Sequence, residues 1–158
     1  MEKFKKLLLL IFILTVFSSC GFKAVNYSEL LNFTISEIKT SGEKRINYKI
    51  KNKLKASSNS KERKLISLNL YTTKVKSVKE KNIKNEITKY EIAVTVNVKI
   101  LEINSNNKIE FNKKINGDYS VSNKYSQTIN NEKNLINVLT EELTKEILNE
   151  IIEKLSVN

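Results

Sequence analysis

Several residue types that enzymes and metal sites commonly use are missing or rare in this chain of 158 residues. Histidine, proline and tryptophan are absent, cysteine occurs once, and glycine occurs three times. Without histidine the chain cannot build a Ser–His or Cys–His nucleophile, and it cannot hold zinc through imidazole ligands. With so few glycines it has no glycine-rich phosphate-binding loop. A single cysteine excludes a disulfide within the chain.

The residue types that remain for catalysis are glutamate, lysine, tyrosine, serine and one aspartate, Asp118. No pair among them stands at the spacing of a recognisable catalytic motif. The sequence therefore predicts a protein that is not an enzyme and that uses no metal ion or other cofactor.

The first twenty residues have the pattern of an export signal. A short basic start precedes an apolar run over Leu7–Phe17, which only Thr15 interrupts, and Ser18, Ser19 and Cys20 follow. This run is shorter than the roughly 20 residues of a membrane-spanning helix. A basic start, an apolar run and small residues at the cut are typical of a removable signal. We expect cleavage directly before Cys20.

The single cysteine stands where a lipid-modified cysteine would stand. Phe17-Ser18-Ser19-Cys20 resembles the bacterial lipobox, which implies a lipid on the Cys20 sulfur and a new N-terminus there. An ordinary secretory signal followed by a chance cysteine is the alternative. We expect a signal peptide over residues 1–19, a lipid-anchored tether over 20–31 and one domain over 32–158. At the position after the lipid-modified cysteine, aspartate commonly retains lipoproteins at the inner membrane. This chain has Gly21 there, so we expect it to be anchored at the periplasmic face of the outer membrane.

Lysine carries nearly all of the positive charge. The net charge is +11, and removal of the signal, with its three lysines and one glutamate, lowers it by two. Arginine, the residue that reads bases and phosphates through paired hydrogen bonds, occurs only at Arg45 and Arg63. Abundant lysine, asparagine and isoleucine indicate an AT-rich genome, and much of the excess lysine is then solvated surface. We expect no nucleic-acid partner, and we expect an anionic lipid or glycolipid surface instead.

The hydrophobic pattern predicts a sheet of four strands. The clearest strand is Ile87–Ile103, where every second residue from Tyr90 to Ile100 is apolar and the residues between them are largely polar. Two earlier strands are predicted: Asn32–Lys39, with an irregularity at Ile38, and Leu65–Val78, with a bulge near Thr73. The last predicted strand is Lys108–Val121, in which Lys113 and Gly117 interrupt the apolar face.

Two amphipathic helices are predicted to cover this sheet. Glu43–Ala56 follows a possible cap at Ser41, and Asn131–Leu155 follows a cap at Asn130 or Asn131. We predict an α+β fold, a two-layer α/β sandwich of order β-α-β-β-β-α, whose four-stranded, mostly antiparallel sheet is covered by two helices. The first strand can lie beside either outer strand. A coiled coil with a partner helix is the alternative for the last helix.

Three stretches resemble the lipopolysaccharide-assembly lipoproteins, the LptE family, also called RlpB. Cys20-Gly21-Phe22 is similar to the family's Cys-Gly-Phe start, residues 119–126 resemble its segment before the last helix, and Asn131–Leu155 resembles its long C-terminal helix. The resemblance implies an outer-membrane lipoprotein that plugs the LptD β-barrel, helps it assemble and binds lipopolysaccharide on its way to the surface. An auxiliary lipoprotein of an ABC-type lipid transport system and a structural envelope lipoprotein are the alternatives.

Lysines are frequent around the predicted charged loop at residues 79–85. We hypothesise that they meet the phosphates and acidic sugars of lipopolysaccharide as point charges. A solvated loop in a lysine-rich protein is the alternative. The candidate lipopolysaccharide-binding residues are Lys74, Lys76, Lys79, Lys81, Lys84 and Lys89.

Overall fold

The computed structural model describes residues 33–57, 64–105 and 107–156. The predicted α+β fold and the order β-α-β-β-β-α are confirmed. The predicted signal peptide, Cys20 and the predicted tether lie outside the described residues. In chain order, the elements are β1 (Phe33–Gly42), α1 (Lys44–Ser57), β2 (Lys64–Lys81), β3 (Ile87–Glu102), β4 (Lys108–Ser120) and α2 (Tyr125–Ser156).

The four strands form one sheet in the order β1-β2-β3-β4. The pairs β2–β3 and β3–β4 are antiparallel, so the sheet is mostly antiparallel, as predicted. β1 lies beside β2 and runs parallel to it. Parallel neighbours need a crossover connection, commonly a helix, and α1 supplies it. The irregularity predicted in the first strand is present, because the register of β1 shifts between Ile35 and Glu37.

Both helices pack on the same face of the sheet, which gives two layers around one core. Successive side chains of a strand point to opposite faces, and every second residue of β3 from Ile92 to Ile100 faces the helices and is at most 1 % exposed. α1 adds a narrow stripe of buried side chains at helical spacing, and α2 adds a wider one. These buried helical residues are Ile46, Ile50, Leu54, Leu139, Leu143, Ile147, Leu148, Ile151 and Leu155.

The interruptions in the apolar face of β4 are explained by α2. A Cβ atom on Gly117 would stand 2.9 Å from Leu135 Cδ1, so the missing side chain lets α2 approach the strand closely. The other interruption, Lys113, forms an ion pair with Glu150 of α2 at 2.9 Å. The helix therefore covers both positions, one by contact with the backbone and the other by charge pairing.

The hairpin between β2 and β3 is longer than predicted. β2 continues to Lys81 instead of ending at Val78, because its ladder with β3 extends under charged side chains. The bulge predicted near Thr73 was wrong: Thr73 pairs regularly with Thr95, and the register shifts lie around Glu80.

A short turn closes this hairpin. The side chain of Asn82 accepts hydrogen bonds from the backbone amides of Lys84 and Glu86, at 2.9 and 3.0 Å. Asn85 has a positive φ of 63°, a conformation that asparagine tolerates better than most residues. The side chain of Ile83, between them, is fully exposed.

α2 begins at Tyr125, before the predicted start at Asn131. Asn131 lies inside the helix, where its side-chain amide donates to the backbone oxygen of Ser120 at 3.0 Å, so the predicted cap was wrong. The hydroxyl of Thr128 instead bonds the backbone of Ser122. The first turns of the helix contribute no buried apolar side chain, and the hydrophobic period therefore could not reveal them.

Candidate functional site

The helix-facing side of β2 is covered along only part of its length. Gly42 at the end of β1 pairs with Thr72 of β2, and α1 starts directly afterwards. Lys74 and Lys76 pair with buried residues of β3, so they share the helix-facing side of the sheet. They lie beyond the start of α1 and beside the first turns of α2. The structure thus brings two of the six predicted lysines together at this corner.

The amine of Lys76 lies in a cluster of aromatic and acidic side chains. Its Nζ atom donates to Glu132 Oε2 at 2.7 Å, and the Tyr119 hydroxyl donates to the same oxygen at 2.8 Å. The amine also stands 4.3 Å from the ring centre of Tyr90, within the range of a cation–π contact. The rings of Tyr90 and Tyr119 stack at 5.8 Å. These contacts fix Lys76 against α2.

Pairing changes the proton affinity of both charged groups in this cluster. Partial burial by itself would lower the pKa of Lys76, but its hydrogen bonds to Glu132 and Tyr119 outweigh burial and raise that pKa to about 12. The hydrogen bond from Lys76 lowers the pKa of Glu132 below its ordinary value of 4.5. Folding therefore favours the charged form of each partner.

We expect Glu132→Gln to destabilise the fold at neutral pH by about 1 kcal/mol, because the charge-assisted bond to Lys76 is lost at a partly exposed site. The folded-state pKa of Glu132 is lowered, so its contribution is present above pH 4.5 and is lost as the pH falls through that lower pKa. The difference in unfolding free energy between wild type and variant should shrink in the same range. Urea unfolding across a pH series measures it.

A matched control is Glu142→Gln, which removes an exposed carboxylate of α2 outside the cluster. This variant should match wild type at every pH. A wild-type advantage over Glu132→Gln that persisted in acid would contradict the assignment of the ion pair.

Two further predicted lysines form ion pairs on the uncovered side of the sheet. Lys79 contacts Asp118 at 2.7 Å, and Lys89 contacts Glu80 at 2.8 Å. The hydrogen bond from Lys79 lowers the pKa of Asp118, and the hydrogen bond to Glu80 raises the pKa of Lys89. Both lysines are therefore neutralised locally, on the face opposite Lys76.

The last two predicted lysines lie at the hairpin turn. Lys81 Nζ donates to the side-chain oxygen of Asn85 at 3.0 Å, and Lys84 is exposed. The six lysines therefore do not converge on one surface. Two are on the helix-facing side, two are on the uncovered side, and two are at the turn.

A cleft at the helix-facing corner contains three basic residues, of which the sequence had singled out one. This corner cleft has a volume of about 210 Å³. Three elements line it: Arg45 and Ile46 from α1, Lys74 from β2, and Ile129, Lys133 and Ile136 from α2. Only Lys74 among them belonged to the predicted set. Lysine-rich composition hides such a site, because a lysine in a cleft and a solvated lysine look alike in sequence.

The side of the sheet away from the helices is polar and is not covered by any element within residues 33–57, 64–105 and 107–156. Most of its central residues are small or carry an amide; Tyr71, Val75, Lys99 and Lys114 are the exceptions. Two shallow hollows of about 240 and 250 Å³ flank Asn69 and Lys99. The central residues of this open face are Ser67, Asn69, Tyr71, Thr73, Val75, Ala93, Thr95, Asn97, Lys99, Asn112, Lys114 and Asn116.

Two further observations concern the described residues alone. They contain no group of three or more metal-ligating side chains that could hold an ion. Neither α1 nor α2 is long and apolar enough to cross a membrane.

Solved structures of three bacterial lipoproteins share this architecture. Rare lipoprotein B from Shewanella oneidensis superposes with a TM-score of 0.51 at 12% identity, covering 77% of this chain and 94% of that chain. The fold is that of rare lipoprotein B. The minor lipoprotein from Acinetobacter baumannii gives 0.54 at 16% identity over 78% and 94% of the two chains. Lipoprotein B from Nitrosomonas europaea gives 0.54 at 14% identity over 86% and 93%.

At these identities the likeness to rare lipoprotein B is one of fold. The predicted resemblance to the LptE (RlpB) proteins therefore holds for the fold. No protein-family model matches the chain, and no curated protein matches its sequence. The three neighbours are all named as lipoproteins, and none of the three names describes an enzyme.

Proposed function

We propose that the chain is an outer-membrane lipoprotein, anchored through Cys20, that binds and plugs the LptD β-barrel and assists lipopolysaccharide transport and assembly. The observation that carries the proposal is the shared fold, which spans nearly the whole of rare lipoprotein B. The lipobox-like start of the sequence supports the anchor. The proposed role is binding, without catalysis.

The dimensions of the sheet suit a plug. β2 has 18 residues, and at about 3.3 Å per residue it is roughly 55 Å long. Phe33 pairs with Lys64 at one end of β2, so the segment that leads back to Cys20 joins the sheet there, opposite the hairpin turn. A bilayer with its headgroups is about 40–45 Å thick. An anchored chain of this length can reach through a barrel lumen.

The polarity of the open face supports the same role. The interior of a transmembrane barrel is polar, and the open face offers hydroxyl, amide and amine groups that can hydrogen-bond to such a wall. We propose this face as the surface that the barrel contacts.

Affinity purification of the full-length chain from solubilised outer membranes tests the proposal. A large β-barrel protein should co-purify with it. Inner-membrane transport components in place of the barrel would favour the ABC-type alternative, and no partner of either kind would favour the structural envelope lipoprotein.

A pair of variants sharpens this experiment. Thr95→Arg adds a long charged side chain at the centre of the open face, away from the core, and should abolish co-purification. Asn134→Arg makes the same charge change on the exposed side of α2 and should leave co-purification intact. Equal recovery of the barrel by both variants would contradict the assignment of the open face.

The hairpin lysines remain a hypothesis for contact with lipopolysaccharide. Replacing Lys79, Lys81 and Lys84 by glutamine tests it and leaves Lys76 in place to hold α2. If these exposed amines meet the acidic sugars of lipopolysaccharide, its binding at physiological salt should weaken by about tenfold, since each exposed pair contributes up to about 1 kcal/mol.

A control variant loses the same amount of charge away from the hairpin. It replaces three exposed lysines by glutamine: Lys55, Lys108 and Lys145. Lipopolysaccharide binding that is unchanged in the hairpin variant, or equally weakened in the control, would reject the hypothesis.

A further inference from the structure

The corner cleft has one strongly basic wall. Arg45 and Lys133 are exposed on neighbouring helices, and Lys74 rises from the sheet between them. None of the three has an ion pair or a side-chain hydrogen bond with another of the described residues. Lys49 lines an adjoining hollow of about 160 Å³ that shares Arg45, Lys133 and Ile136 with the cleft.

The acidic groups at the cleft do not balance this charge. Glu132 is already held by Lys76 and Tyr119. Glu43 is the remaining carboxylate, and α1 has no acidic residue in its first turn. The start of α1 adds the positive end of the helix dipole. Several cations therefore face one small space with a net positive charge, an arrangement that favours a multiply charged anion over a single carboxylate.

The other wall of the corner cleft is apolar. Ile129 and Ile136 lie one above the other on α2 and flank Lys133, and Ile46 of α1 is buried beneath. Small-molecule pockets commonly enclose about 300–1,000 Å³, so the cleft has room for only part of a large ligand. A charged group joined to an apolar body that extends outside fits both walls.

We infer that the corner cleft binds the phosphomonoester of a lipid, with Arg45, Lys74 and Lys133 around the phosphate oxygens. Ile129 and Ile136 contact the part of the lipid next to the phosphate. In the proposed function this lipid is lipopolysaccharide, so the inference rests on that function for the identity of the lipid. It assigns phosphate recognition to the corner cleft and not to the hairpin turn.

Binding of the full-length chain in detergent to lipid A tests the inference, with bisphosphorylated and dephosphorylated lipid A as the two probes. Wild type should prefer the phosphorylated probe. In Arg45→Gln/Lys133→Gln that preference should fall by at least about tenfold, because charge-assisted contacts are lost. Both side chains are exposed, so circular dichroism should show an unchanged fold.

The matched control is Lys55→Gln/Lys145→Gln, which removes two exposed cations from the same two helices away from the cleft. It should keep the wild-type preference, as should the hairpin variant Lys79→Gln/Lys81→Gln/Lys84→Gln. An unaffected cleft variant, or a wild type that binds both probes equally, would overturn the inference. Co-purification of the barrel does not depend on lipid binding, so that experiment tests the proposed function independently of this inference.

Discussion

Replacing Gly42 by alanine is expected to destabilise the fold by about 3 kcal/mol. Gly42 has a φ of 87°, and an L-residue forced into a left-handed conformation loses about 1–2 kcal/mol. The Cβ atom of the new alanine would also stand 2.0 Å from the backbone oxygen of Thr72, so β2 must move away from the start of α1. Overpacking of this kind lowers the stability by a further ~1–3 kcal/mol.

The junction around Gly42 cannot relax easily. The backbone oxygen of Thr72 accepts the amide of Glu43 at 3.0 Å, and the Thr72 hydroxyl donates to Asn47 at 2.7 Å. Asn47 in turn donates to the backbone oxygen of Ser41 at 2.8 Å. Movement away from the new methyl group therefore strains several hydrogen bonds together.

Urea unfolding of the purified protein measures this effect. Ser41→Ala is the control, since the neighbouring side chain is exposed and the change leaves the backbone oxygen of Ser41 in place. The control should unfold near the wild-type midpoint, and Gly42→Ala should unfold at a clearly lower urea concentration. Equal midpoints for the two variants would show that the backbone at Gly42 is free to adapt.

The sheet is the part of the fold that sequence reasoning predicted best, and β3 shows why. A slip of one residue in register would turn every side chain to the other face. The alternation around Val94 and Val96 therefore determined both the strand and its buried side. The same logic identified Lys113 and Gly117 as exceptions, although only the position of α2 explains them.

The ends of the elements were predicted less well, because the sequence there carries no hydrophobic signal. Residues 79–81 are charged, yet the backbone ladder of β2 continues through them. The first turns of α2 are polar, yet hydrogen bonds around Ser122 and Thr128 start the helix early. The backbone ladder with β3 decided the first limit, and hydrogen bonds between the Thr128 hydroxyl and the backbone of Ser122 decided the second; the hydrophobic pattern reports neither.

The candidate site could not be assembled from the sequence. Arg45, Lys74 and Lys133 come from three elements, and only the packing of α1 beside α2 brings them to one cleft. The hairpin lysines were grouped because they are close in sequence. Strand alternation and the irregularity near Glu80 then place Lys76 and Lys79 on opposite faces. Proximity in sequence is a poor guide to proximity in space along a strand.

The other large effect is expected from Cys20→Ser, which should release the protein from the membrane fraction. Each buried CH₂ of a lipid chain contributes about 0.8 kcal/mol, and stable anchoring needs more than one chain. A fully acylated Cys20 would meet that condition, and serine can carry no thioether-linked lipid. Fractionation of cells that express each form measures the change.

Gly21→Asp is the control that separates anchoring from sorting. It leaves Cys20 in place, so the protein should stay in the membrane fraction but move from the outer to the inner membrane. Cys20→Ser should instead be exported in a water-soluble form, and its co-purification with the barrel should fall because the anchor no longer concentrates it at the membrane. A Cys20→Ser protein that remained in the outer membrane would favour the ordinary secretory signal, and the open face alone would then have to hold the protein to its partner.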